Sequence, residues 1–172
     1  DNTFRPGNNA TRGQMTKIVV IALGIATPVP TGTPTFRDVP TSNGFYLYIE
    51  AAASNGIVSG YNCGTVSGEP CPGLYFRPNA NVTRGQLSKI VVVAANHVFG
   101  WPLLNPTTPS FSDVAPNSPF YAYIETAKCR GVISGYADGT FRPNTNATRA
   151  QISKIVCITS QNPASTCAVS PK

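Results

Sequence analysis

The sequence predicts a mainly α-helical repeat protein with two helices per repeat and short extended segments between them. One segment recurs three times: FRPGNNATRGQMTKIVV from Phe4, FRPNANVTRGQLSKIVV from Phe76 and FRPNTNATRAQISKIV from Phe141. A second recurs twice: FRDVPTSNGFYLYIEAAASNGIVSGY from Phe36 and FSDVAPNSPFYAYIETAKCRGVISGY from Phe111. The copies are spaced by roughly 65–75 residues, a period expected of units that cannot bury their apolar faces alone. Calling the second segment A and the first B, the chain runs B, A–B, A–B. The expected organisation is a half unit over 1–26, full units over 36–99 and 111–160, and a tail over 161–172, all in one body.

Each B half opens on Phe-Arg-Pro. Pre-proline sterics predict an extended Phe-Arg pair before Pro6, Pro78 and Pro143. Thr-Arg-Gly/Ala-Gln follows, at Thr11 to Gln14, Thr83 to Gln86 and Thr148 to Gln151. This is a capping box: the Thr hydroxyl accepts from the N3 amide and the Gln side chain accepts from the Thr amide. Apolar residues then fall at helical spacing, as in Met15, Ile18, Val19 and Ala22 or Leu87, Ile90, Val91 and Ala94. Arg12, Arg84 and Arg149 sit in the first turn, where the helix dipole disfavours a cation, so helix stability does not explain them.

Each A half starts Phe-x-Asp-Val and predicts a second helix over Phe45 to Asn55 and Phe120 to Arg130. Gly56 and Gly131 stand where a left-handed C-terminal cap is expected. Ile57-Val58 and Val132-Ile133 read as short extended stretches, and Asp138-Gly139 as a tight turn. Thr27 to Thr35 and Trp101 to Ser110, rich in Pro and Thr, read as linkers.

Charged residues make up only 12% of the 172-residue chain, against roughly 25% in an average soluble domain. The net charge of +6 favours anionic partners. Its basic residues are distributed one set per unit instead of forming a patch, which argues against nucleic acid. The longest apolar run, Ile18 to Ala26, is too short for a membrane helix of about 20 residues. No basic-then-apolar leader is visible, so an exported chain would already be processed. Cys63 and Cys71 bracket an insertion absent from the third unit, and a disulfide across this Gly/Pro loop suits an oxidising compartment. Cys129 or Cys157 is then available to Cys167, with one thiol left over. Zinc is disfavoured by the cysteine spacing and the single His, His97. No metal or cofactor is expected, and no nucleophile–base constellation for an enzyme is present.

These linked motifs resemble the bacterial S-layer homology (SLH) repeat: F-x-D-V, Y-I-x-x-A, G-I/V-x-S-G-Y, D-G-T-F-R-P and T-R-A/G-x, in fixed order over most of the chain. The resemblance implies two-helix repeats around a pseudo-threefold axis. It also implies grooves between repeats that hold secondary cell-wall polysaccharide, often through a pyruvylated sugar whose carboxylate meets the Arg of a T-R-A-E motif. By position those arginines are Arg12, Arg84 and Arg149, with Lys17, Lys89 and Lys154 adding longer-range attraction. The family's Glu is Gln here, at Gln14, Gln86 and Gln151, which keeps the capping box and removes a negative charge beside each Arg.

A planar guanidinium suits a carboxylate, and first-turn backbone amides would add donors. Ion pairing of the same arginines with Asp38, Asp113, Glu50 or Glu125 is the competing reading. Asn9, Asn81 and Asn146 each begin an N-x-T sequon and are candidate glycosylation sites, although the Thr already serves as a cap and the Asn suits a turn. Expected overall is a non-enzymatic protein of the bacterial cell surface that anchors to wall polysaccharide. The alternative is a subunit that associates with identical chains into a surface layer or filament by completing the first half unit.

Overall fold

In the computed structural model, which describes residues 1–162 and Cys167, the chain is mainly helical. The order is α1 (Arg12–Ala22), α2 (Tyr46–Ser54), β1 (Tyr61–Asn62), β2 (Leu74–Tyr75), α3 (Arg84–Phe99), α4 (Tyr121–Cys129) and α5 (Arg149–Gln161). The α1, α3 and α5 helices come from the B halves and start on complete capping boxes at Thr11, Thr83 and Thr148. The A-half helices α2 and α4 end in Schellman caps. Gly56 and Gly131 turn left-handed at φ 67° and 68°, and Ile57 and Val132 donate back to the Ala52 and Ala127 carbonyls at 2.8 and 2.9 Å.

The three B helices touch one another pairwise, while α2 packs on α1 and α4 packs on α3. An A helix therefore covers the B helix of the preceding unit, not its own. Close approach needs glycine: a Cβ on Gly13 would lie 2.7 Å from the Phe45 ring, and one on Gly85 the same distance from Phe120. In α5 the corresponding residue is Ala150, which is exposed and carries no such ring.

A cycle of backbone hydrogen bonds joins the three B halves. Ala10 donates to the Ala147 carbonyl (3.1 Å), Ala147 to Val82 (2.8 Å) and Val82 to Ala10 (3.0 Å), and all three residues are buried. Beside this ring each helix start docks on the Phe-Arg-Pro turn of the next unit. Arg12 and Gly13 amides donate to Ala80 and Pro78, Arg84 and Gly85 to Thr145 and Pro143, and Arg149 and Ala150 to Asn8 and Pro6. The half unit thus closes the pseudo-threefold by bonding directly to α5.

The structure corrects three local expectations. Arg5, Arg77 and Arg142 are left-handed, with φ 53°, 60° and 60°, not extended. Such residues cost of order 1–3 kcal/mol each and persist only where surroundings impose them. Here the Asp38 carboxylate accepts from the Phe76 and Arg77 amides at 2.7 and 2.6 Å, and Asp113 does the same for Phe141 and Arg142 at 2.7 Å each. Ile57-Val58 and Val132-Ile133 are not strands, because their amides are spent on the helix caps. The two-stranded ladder lies instead at the base of the insertion, pairing Tyr61 with Tyr75 and Asn62 with Leu74.

Trp101, read as linker, is 1% exposed. It lies beside Phe99 and under the Arg130 guanidinium, and its carbonyl accepts from the Asn96 amide at 2.6 Å. Cys63 is bonded to Cys71 and Cys129 to Cys167, leaving Cys157 as an exposed thiol on α5. The remainder of the expected tail, 163–166 and 168–172, lies outside the described residues.

Substituting Gly85→Ala pushes the new methyl into Phe120, and such overpacking costs roughly 1–3 kcal/mol. Ala150→Gly, with no ring above it, costs no more than about 1 kcal/mol. Urea denaturation of the two variants checks the difference. A second expectation concerns Asp138, which sits at about 2, below its ordinary 3.8, through the Thr140 hydroxyl first and then Arg142 and the Thr140 amide. A depressed folded value means the stabilising contribution is present above the unfolded pKa and lost as pH falls from about 4 toward 2. In Arg142→Ala the Asp138 carboxyl titrates higher, yet still below its ordinary value because Thr140 remains, as NMR titration would show.

Candidate functional site: clefts between units

Arg12 and Arg84 extend across the unit boundary. Arg12 Nε donates to the Phe76 carbonyl at 2.9 Å and Nη2 to Ser59 at 3.3 Å. Arg84 repeats this on Phe141 (2.8 Å) and Ser134 (3.3 Å). The guanidinium planes lie over Tyr61 and Phe76 at 4.9 and 4.5 Å, and over Tyr136 and Phe141 at 5.0 and 4.3 Å. Arg149 makes only the first bond, to the Phe4 carbonyl at 2.8 Å, with Phe4 beneath it. Arg12 and Arg84 are only 5% and 6% exposed, and desolvation by burial pulls both below the ordinary arginine value.

No carboxylate pairs with these three guanidiniums among the described residues. Asp38 and Asp113 hold the Phe-Arg-Pro turns. Glu50 accepts from the Thr35 amide and hydroxyl at 3.0 and 2.7 Å, and Glu125 from those of Ser110 at 2.8 and 2.6 Å. The competing ion-pair reading is therefore not what the structure contains. Nor are the first-turn amides open to an anion as the sequence reading expected. N1 and N2 amides bond to the next unit's turn, and the N3 amide bonds to the cap Thr. With the side-on edge (Nε and Nη2) committed to backbone carbonyls, Nη1 of Arg12 and Arg84 has no protein acceptor among the described residues, which leaves the end-on edge for a ligand.

Each cleft mixes residues from more than one unit, and the Arg12 cleft draws on all three. Around Arg12, a cleft of about 540 Å³ is lined by the loop Gly56 to Tyr61, by Gln86 and Lys89 of α3, and by Phe120 and Tyr123. Around Arg84, about 230 Å³ is lined by Val132 to Tyr136 and by Gln151 and Lys154 of α5. Arg149 and Gln14 border a third space of about 380 Å³ with Asp1, Thr3, Phe4 and Arg5. Arg12 and Arg84 thus meet the Gln and Lys of the following unit, not their own, and Arg149 meets Gln14 alone of that pair. Lys17 is held instead over Tyr48 at 4.9 Å, as Lys89 is over Tyr123 at 5.5 Å. Asn9 and Asn81 are exposed and Asn146 is half-buried, each in a backbone bridge to a neighbouring unit's Thr.

Sequence reasoning missed Tyr61 and Tyr136 as platforms. Each ring also carries a second guanidinium that does not line the cleft, Arg77 at 4.3 Å from Tyr61 and Arg142 at 4.1 Å from Tyr136. The available signal was the joint recurrence of Gly-Tyr and Phe-Arg-Pro within each full unit. Among the described residues no helix is long and apolar enough to cross a membrane, and no His/Cys/Asp/Glu cluster has metal-site geometry.

Residues 35–88 and 110–152 match the S-layer homology domain. Similar proteins include an endoglucanase of Bacillus sp. (strain KSM-635), 30% identical over 90% of this chain and 15% of that protein. Cell surface glycoprotein 1 of Acetivibrio thermocellus is 28% identical over 88% of this chain and 6% of its own length. The cellulosome-anchoring protein of the same organism is 25% identical over 86% of this chain and 31% of its own length. The chain spans less than a third of each of these relatives. Two tandem matches to one domain, on a helical ring whose repeated motifs make its contacts, place this chain in the S-layer homology domain family.

Proposed function

We propose that this chain attaches to the bacterial cell wall, without catalysis, by holding an anionic polysaccharide of pyruvylated type in the clefts between its units. The observation that carries this reading is the state of Arg12 and Arg84. Each is fixed along one edge by backbone carbonyls, stacked on a tyrosine, unpaired with any carboxylate among the described residues, and accompanied by a Gln and a Lys from the next unit. A guanidinium so placed offers a planar pair of donors to a carboxylate while its own entropy is already spent. Family membership and the name of the cellulosome-anchoring relative support a wall-anchoring role at the cell surface. Disulfides at Cys63–Cys71 and Cys129–Cys167 support an extracellular location.

A second reading, a self-assembling structural subunit, is favoured by one feature. The α5 face bearing Ala150 and Cys157 is exposed, whereas the same faces of α1 and α3 lie under Phe45 and Phe120. Sedimentation velocity across a concentration series tests it, and a monomer at every concentration contradicts it.

Wall binding is checked by co-sedimentation with purified wall polysaccharide, native and with pyruvate ketals removed. Native polymer retains the protein and depyruvylated polymer does not. Lys89→Glu combined with Lys154→Glu, both at the cleft rim, weakens retention by about tenfold or more, the scale of one lost charge-assisted contact. Equal retention by the two polymers contradicts the carboxylate reading.

A further inference from the structure

The two full clefts differ in what lies behind the tyrosine. Behind Tyr136, Arg142 donates once to Asp138 at 2.8 Å and once, longer, to the Thr140 hydroxyl at 3.2 Å, and both side chains of the ion pair are about half exposed. Behind Tyr61, Arg77 is gripped along its side-on edge by two bonds to Glu69, Nε to Oε1 at 2.7 Å and Nη2 to Oε2 at 2.8 Å. That pair is largely sheltered, at 21% and 11% exposure. Thr65 Oγ1 also accepts from Arg77 Nη2. Both Glu69 and Thr65 belong to the insertion closed by Cys63–Cys71, whose base is the β1–β2 ladder starting at Tyr61 itself. On the cleft side the Tyr61 hydroxyl accepts from Gln86 Nε2 at 3.0 Å, and Arg12 lies over the ring.

We propose that the Cys63–Cys71 loop is a positioning element for the Arg12 cleft, with Glu69 pinning Arg77 behind Tyr61 so that Tyr61, Gln86 and Arg12 are preset for an anionic sugar. The proposal rests on the polysaccharide reading above and adds that this cleft is the tighter of the two. Two effects follow from the geometry. A bidentate, sheltered clamp removes motion that Tyr61 would otherwise lose on binding, and the cost of ordering falls out of the affinity. Neutralised by Glu69, Arg77 does not compete with Arg12 for the ligand's carboxylate. The exposed Arg142–Asp138 pair provides neither to the same degree, since exposed ion pairs hold their geometry weakly.

The test keeps the whole chain and its net charge. Cys63→Ser with Cys71→Ser opens the loop, and separately Glu69→Asp retains the carboxylate but shortens its reach. A pyruvylated methyl glycoside is titrated while the side-chain amide signals of Gln86 and Gln151 report the two clefts by NMR. In the unaltered protein Gln86 saturates at lower ligand concentration than Gln151. In both variants the Gln86 dissociation constant rises at least about fivefold, as expected for lost preorganisation, while that of Gln151 is unchanged, which also shows the fold to be intact. Without ligand, the Arg77 Nε–H signal, slow to exchange in the unaltered protein, exchanges rapidly in both variants. A Gln86 constant within twofold of the original in both variants overturns the proposal. If neither glutamine shifts in the unaltered protein, the polysaccharide reading fails, and the proposal falls with it.

Discussion

Closure of the ring by backbone hydrogen bonds is the constraint on which the rest of this molecule depends. Each unit presents a helix start and a Phe-Arg-Pro turn, and neither can satisfy its amides and carbonyls alone. The helix start of one unit is complementary to the turn of the next, so three B halves close a cycle in which the buried Ala10, Val82 and Ala147 amides each find a carbonyl partner. The left-handed Arg of each turn is the local cost of that fit. In the two full units an aspartate from the A half, Asp38 or Asp113, stabilises it. In the half unit Arg5 pairs with Asp1 instead.

The arginines at the helix starts belong to the same constraint and to the clefts at once. Their side-on edge ties a helix to the Phe carbonyl of the neighbouring turn, which explains three cations placed against their helix dipoles. What the fold leaves in Arg12 and Arg84 is the end-on edge, at the cleft beside a tyrosine. A single side chain thus serves as joint and as donor, and the position of the donor is set by the ring rather than by a flexible loop. The clefts are unequal for a structural reason. The Arg12 cleft gains a wall from α4 and its N-cap, through Tyr123 and Phe120, while among the described residues no helix stands in that place beside α5.

What was legible in the sequence was local. Thr-x-x-Gln spells its capping box within four residues, Gly56 and Gly131 mark their helix ends, and the helical apolar spacing needs no partner to be read. Cys63 and Cys71 were readable because a short loop limits their reach. What was not legible depended on contacts across units. Nothing near Arg77 in the chain says that Asp38 will hold its amide, and pre-proline sterics alone point the wrong way. Trp101 looked like linker because a Pro- and Thr-rich run hides one large apolar residue that folds back onto Phe99 and Arg130. The three arginines were read as cleft residues in grooves between units, but which unit's Gln and Lys each one lies beside was not legible. That Arg12 works beside Gln86 and Lys89 follows only from the direction in which the ring closes.

Amide hydrogen exchange at Ala10, Val82 and Ala147 tests the closed ring most directly. These three amides form the cycle at the axis, and closure predicts strong protection at all of them with similar opening free energies, lost together when the protein unfolds. Rapid exchange at Ala10 with Val82 and Ala147 still protected would show that the first half unit is not bonded to the third, and would contradict the account.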